Sequence, residues 1–124
     1  MPTQLSLTTT THESAAVVSV GGEVDLGTAG ELSDYLIAAM QQAGPHLVVD
    51  LSGVSFMDST GLKVLLASNK RVHLVGGHLA LAAPGRSVRK VLAVTGLDQT
   101  FVVCDSVDNA LATVVADTAQ AAAE

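Results

Sequence analysis

The chain has 124 residues, 48% apolar and 15% charged, with a net charge of −6, two Phe, one Tyr and no Trp. That length fits one globular domain, residues 1–124, with its own core; the composition excludes a disordered chain, aromatic stacking on nucleobases and nonspecific attraction to nucleic-acid phosphates or anionic lipid. A lone Cys104 permits neither an internal disulfide nor a Cys-rich zinc site. No apolar run nears the roughly 20 residues of a membrane span and the start Met1–Thr11 is polar, so the expected setting is the reducing cytoplasm, with no membrane and no nucleic acid as partner.

Leu5 and Leu7 alternate with polar neighbours as in a half-exposed strand, and His12-Glu13-Ser14 turns the chain into a second strand from Ala15 to Val20. Gly21-Gly22 is expected to turn the chain out of that strand. Thr28-Ala29-Gly30-Glu31 has capping-box spacing, and Leu32, Leu36 and Met40 then make one apolar helix face that ends at Gly44-Pro45, read as a left-handed cap and a stop. His46 to Leu51 is a short apolar run, as in a strand covered on both faces.

A polar cluster, Asp58-Ser59-Thr60-Gly61, separates that strand from a helix in which Leu62, Leu65, Leu66 and Val72 recur at helical spacing before Gly76-Gly77. Leu79 to Ala82 reads as a strand, Pro84 opens a helix with Val88, Val91 and Leu92 on one face, Phe101 to Cys104 is the last strand, and Asp105 or Ser106 caps a final helix. Its Ala-rich end beyond Asp117 is expected to fray. Alternating strands and helices predict an α/β fold with a mainly parallel, mixed sheet of about five strands, an N-terminal hairpin and about four helices.

Few sites survive inspection. His12, His46, His73 and His78 lack metal-ligand spacing and read as surface or strand-edge residues; no phosphate-binding glycine loop or G-x-S-x-G elbow occurs; Cys104 reads as a small buried hydrophobe. No cofactor and no enzyme activity are expected. Asp-Ser-Thr-Gly before an apolar helix is in the first instance a helix cap. Its position adds to that: Asp25 and Asp58 each follow a strand and precede a helix, and functional groups of open α/β sheets gather at the carboxyl ends of the strands. If the two strands are parallel neighbours, both carboxylates and Ser59 share one rim.

Through Gly22-Glu23-Val24-Asp25, Val48-Val49-Asp50-Leu51, Phe56-Met57-Asp58-Ser59-Thr60-Gly61-Leu62 and Val94-Thr95-Gly96-Leu97, the chain resembles the anti-sigma factor antagonists of the STAS-domain family over nearly its full length. The resemblance implies a binding protein whose unphosphorylated form captures an anti-sigma factor with serine kinase activity and so releases a sigma factor. Phosphorylation at Ser59 would end binding, and a serine phosphatase would restore it. It also implies that Asp25 lies close to Ser59 and that Asp25, Asp58, Thr60, Gly61, Leu62 and Lys63 form the switch, with Met57, Leu62 and Val64 as apolar neighbours. Lys63 departs from the pattern, in which a small residue, commonly Gly, follows Gly-Leu; a long cation there bears on kinase choice or on holding a neighbouring acid. The rival reading is a non-phosphorylated STAS subunit docking on another partner, such as a transporter ATPase.

Overall fold

The computed structural model describes residues 5–12 and 14–123, with side chains described up to residue 115. Strand β1 (Ser6–His12) runs antiparallel to β2 (Ala15–Val24), and β3 (His46–Met57), β4 (Leu79–Ala82) and β5 (Val102–Cys104) follow in parallel, in spatial order β1-β2-β3-β4-β5. The helices are α1 (Ala29–Ala43), α2 (Ser59–Leu74), α3 (Arg86–Thr95) and α4 (Val107–Ala123), with a 3₁₀ turn at Leu97–Gln99. The α/β class, the five-stranded mixed sheet with its N-terminal hairpin and the four helices match the sequence expectation. The fraying expected beyond Asp117 concerns side chains outside the described set.

Successive strand residues point to opposite faces, and the two faces carry different side chains. On one face Ala16, Val18 and Val20, Leu47, Val49 and Leu51, and Leu79 and Leu81 pack with Leu32 and Leu36 of α1, Leu65 and Val72 of α2, and Val88 and Leu92 of α3. The other face presents Ala15, Val17, Val48, Ala80 and Ala82, against which α4 sets Ala110 and Val114. Small side chains on both surfaces let a single helix lie close to the sheet. Aliphatic burial does nearly all the stabilising work, at about 25 cal/mol per Å² of apolar surface.

Two differences from the sequence reading shape the site. Gly21-Gly22 does not end β2: the strand passes through both glycines with register shifts between Ser19 and Gly21 and between Gly22 and Glu23. Gly22 takes φ 109, and a Cβ on the facing Gly53 would lie 3.0 Å from the Val20 carbonyl oxygen, so these glycines admit a bulge rather than a turn. As a result β3 also runs on to Met57, although β4 accompanies it only from Leu47 to Asp50. Beyond Gly21, where the pairing with β1 has also ended, β2 and β3 continue as a pair whose ends deliver Asp25 and Asp58.

Smaller corrections have local causes. Gly44 has positive φ but extended ψ (101, −174), so it redirects the chain towards Pro45 without forming a left-handed cap. Helix α3 begins at Arg86 rather than Pro84, with Gly85 as N-cap. Ser106 caps α4, its Oγ accepting from the Asn109 amide at 3.1 Å. His46 is not a surface residue: it is 2% exposed, stacks on His78 at 5.4 Å, and its Nδ1 accepts from the His78 amide at 3.1 Å. Cys104 is half-buried, with Sγ 3.9 Å from the Thr113 hydroxyl, because it closes a strand near the sheet's edge.

Candidate functional site

The two acids sit side by side because of strand register. Val24 pairs with Met57, and the Asp58 amide donates to the Val24 carbonyl at 3.1 Å, so Asp25 and Asp58 leave neighbouring parallel strands at the same rim. This is the arrangement foreseen if the strands were adjacent.

Each acid organises its own turn. Asp25 Oδ1 accepts from the amides of Gly27 at 3.0 Å and Thr28 at 3.2 Å, while the Asp25 carbonyl accepts from the amide of Ala29 at 2.8 Å. The expected Thr28–Glu31 capping box does not form: the Thr28 hydroxyl is turned back into the β2–α1 turn, donating to the Glu23 carbonyl at 2.8 Å and accepting from the Asp25 amide at 3.0 Å. Thr28 is 6% exposed, so its hydroxyl is a structural pin.

At the second turn Asp58 is the N-cap of α2, extended at φ −103 and ψ −170, which puts Ser59 at the first helical position. Asp58 Oδ1 accepts from the amides of Thr60 at 2.9 Å and Gly61 at 3.3 Å and from the Thr60 hydroxyl. That hydroxyl is the main reason the Asp58 carboxyl titrates below its usual value; desolvation opposes the shift, and the Gly61 and Thr60 amides add to it. The cap is therefore Asp58, not Ser59. The Ser59 side chain is exposed and has no hydrogen-bond partner among the described residues.

Gly61 explains its own identity. A Cβ there would lie 2.7 Å from both Met57 Cγ and Val24 Cγ1, so the first turn of α2 rests directly on the strand ends. Leu62 is 5% exposed and Met57 2%, both in the core. They are not surface contacts, contrary to expectation; their burial fixes the pitch at which Ser59 is displayed. Val64 is half-buried, while Lys63 is exposed and forms no ion pair with a described residue.

The apolar surface at this rim comes from residues the motif does not mark. Leu26, between Asp25 and Gly27, is 82% exposed, and Phe56, facing away from buried Met57, is 46% exposed. A leucine inside an Asp-Leu-Gly-Thr turn and an aromatic out of phase with the strand's core residues were the available signals. Helix α3 reaches the same end, the Ser87 hydroxyl donating to the Ser55 carbonyl at 3.2 Å. No group of His, Cys, Asp or Glu among the described residues could hold a metal ion, and no described helix is long and apolar enough to cross a membrane.

Known proteins are similar to this chain in sequence and fold. The chain is 34% identical over 110 residues to the anti-sigma-F factor antagonist RsfB of Mycobacterium tuberculosis, 89% of each chain being covered. It is similar to the crystal structure of an anti-sigma factor antagonist from Mycobacterium paratuberculosis, with TM-score 0.81 and 35% identity over 89% of this chain and 93% of that one. The fold is also that of the Bacillus protein SpoIIAA in its phosphorylated form, with TM-score 0.67 and 23% identity over 89% of this chain and 98% of that one. The STAS domain profile matches residues 6–110, and with it the chain belongs to the STAS-domain family.

Proposed function

We propose that this protein is a cytoplasmic anti-sigma factor antagonist, acting as one domain over its whole length, whose unphosphorylated form binds an anti-sigma factor with serine kinase activity and thereby frees a sigma factor. The observation that carries the reading is the Ser59 hydroxyl: exposed, at the first position of α2, and left over because Asp58 does the capping. The names of the relatives point the same way. Leu26 and Phe56 supply exposed apolar surface at the same rim for the partner to bury.

In the modification step Ser59 Oγ attacks the γ-phosphorus of ATP and forms the new P–O bond, ADP leaves, and the hydroxyl proton passes to a base of the kinase. The product carries about −1.5 to −2 charges at a point flanked by Asp58 and Asp25. Repulsion and desolvation then oppose docking, and a phosphatase that hydrolyses the ester restores it. The fold persists, because Ser59 contributes no bond to it. The switch is local electrostatics on a rigid scaffold.

The test is to incubate the chain with candidate anti-sigma factor kinases and ATP and to map the phosphate by mass spectrometry. The expected result is phosphate on Ser59, none on Ser59→Ala, and loss of kinase capture for Ser59→Asp. Phosphate elsewhere, or capture indifferent to Ser59→Asp, would overturn the proposal and favour a non-phosphorylated docking subunit.

A further inference from the structure

We infer that Lys63 is a built-in counter-ion for the phosphate on Ser59, holding the modified side chain against its own helix. The inference rests on Ser59 being the modified residue and adds a residue role to it.

Ser59 and Lys63 both lie in α2, at positions i and i+4. Residues so spaced share a helix face with Cβ atoms about 5–6 Å apart, and helical side chains lean towards the N-terminus, so a lysine at i+4 reaches back over the first turn. Lys63 is exposed and forms no ion pair with a described residue, and Ser59 is exposed and unbonded among the described residues. The neighbouring acids serve their own turns through Oδ1, Asp58 accepting from the Thr60 and Gly61 amides and Asp25 from those of Gly27 and Thr28, and neither is paired with Lys63. Before modification Lys63 has no ion-pair partner among the described residues.

The other charged groups at this end include Glu23 on β2 and Glu31 in the first turn of α1, which add to the acidic surroundings, and Arg86, which opens α3; all three are exposed. Glu23, Asp25 and Asp58 all oppose a dianion. Lys63 is the cation placed on the same helix face as Ser59, one turn away. Lys70 lies on nearly the same face but about 16 Å from Ser59 along the axis, beyond reach of the phosphate.

The pairing has a functional consequence. A phosphoserine loses its second proton near pH 6, and a cation within hydrogen-bond reach favours the doubly charged form. Lys63 therefore raises the dianionic share of the mark near neutral pH and offsets its acidic surroundings. It also fixes the position of the phosphate, where a small residue at 63 would leave it free to rotate.

The experiment places phosphoserine at position 59 during translation of the full chain, so no kinase is involved, and follows its titration by phosphorus NMR. The second pKa is expected to rise by about 0.2 to 0.4 unit in Lys63→Ala, to stay near wild type in Lys63→Arg, and to be unmoved by Lys70→Ala. The difference between wild type and Lys63→Ala should shrink in 0.5 M salt, as that of an exposed pair does. An unchanged value in Lys63→Ala, or an equal or larger rise in Arg86→Ala, overturns the assignment. A kinase that phosphorylates some other residue would sink the proposed function yet leave this titration unaffected, so the two failures are distinguishable.

Discussion

Two strand-to-helix turns stand side by side at one rim, and they use their hydroxyls in opposite ways. After β2, Asp25 collects amides and the Thr28 hydroxyl is drawn inside, 6% exposed and bonded at both ends to the turn's own backbone. After β3, Asp58 collects amides and the Thr60 hydroxyl as well, and Ser59 remains outside without a described partner. The lesson is that an acid followed by hydroxyls is only a cap until the bonds are assigned. The residue left over is the one available for chemistry.

The sharpest way to break this contrast is at the inward hydroxyl. Thr28→Val keeps the shape but strips the Glu23 carbonyl and the Asp25 amide of the buried hydroxyl that joins them beneath the turn. With about 1–3 kcal/mol for each buried orphan group, a loss of about 3 kcal/mol and a melting temperature lowered by roughly 10 °C are expected by calorimetry. Loss below about 1 kcal/mol would mean that water replaces the hydroxyl and that the first turn is as open as the second.

Next in size is Gly61→Ala. Its Cβ would meet Met57 and Val24 side-chain carbons at 2.7 Å; Met57 can yield, but Val24 is β-branched and fully buried. Overpacking of this kind costs about 1–3 kcal/mol, readable as a shifted urea midpoint with unchanged slope. On the proposed function the variant should also lose partner capture beyond what instability explains, since tilting α2 moves Ser59.

How much of this the sequence could disclose follows from the range over which each feature is decided. Periodicity located the helices and most of the strands, because burial of Leu32, Leu65 or Val88 repeats within a few residues. The length of β2 and β3 was hidden, since Gly21-Gly22 reads locally as a turn and becomes strand only where β2 bulges against Gly53 of β3. The Asp58-Ser59-Thr60-Gly61 motif was visible as a junction, but which oxygen caps the helix depends on backbone angles at Asp58. Met57 and Leu62 looked like surface for the same reason. Leu26 and Phe56 went unmarked because their exposure is set by the neighbouring strand and turn.

Acid sharpens the role of Asp58. Its native carboxyl titrates below the usual value, chiefly through the Thr60 hydroxyl, so the stabilisation it gives is complete above the unfolded value of about 4 and lost as pH falls through the lower native one. Asp58→Asn retains capping ability without the charge. Wild type should therefore melt higher than Asp58→Asn at neutral pH, with the gap closing as pH falls below about 4. A gap that stays constant across that window would mean that the carboxylate contributes through shape alone, as an amide could.

The smallest effect is the most telling. Ser59→Ala removes a hydroxyl that bonds to no described residue, and exposed substitutions of that kind stay within about 0.5 kcal/mol. Its melting temperature should fall within about 2 °C of wild type, against the roughly 10 °C expected for Thr28→Val. Two hydroxyls within one rim would then differ severalfold in structural worth. Because nothing in the fold depends on Ser59, any change in partner binding or phosphate acceptance in Ser59→Ala reports on the hydroxyl itself. A loss of 1 kcal/mol or more would show Ser59 to be part of the cap, and the division of labour between Asp58 and Ser59, on which the switch reading stands, would fail with it.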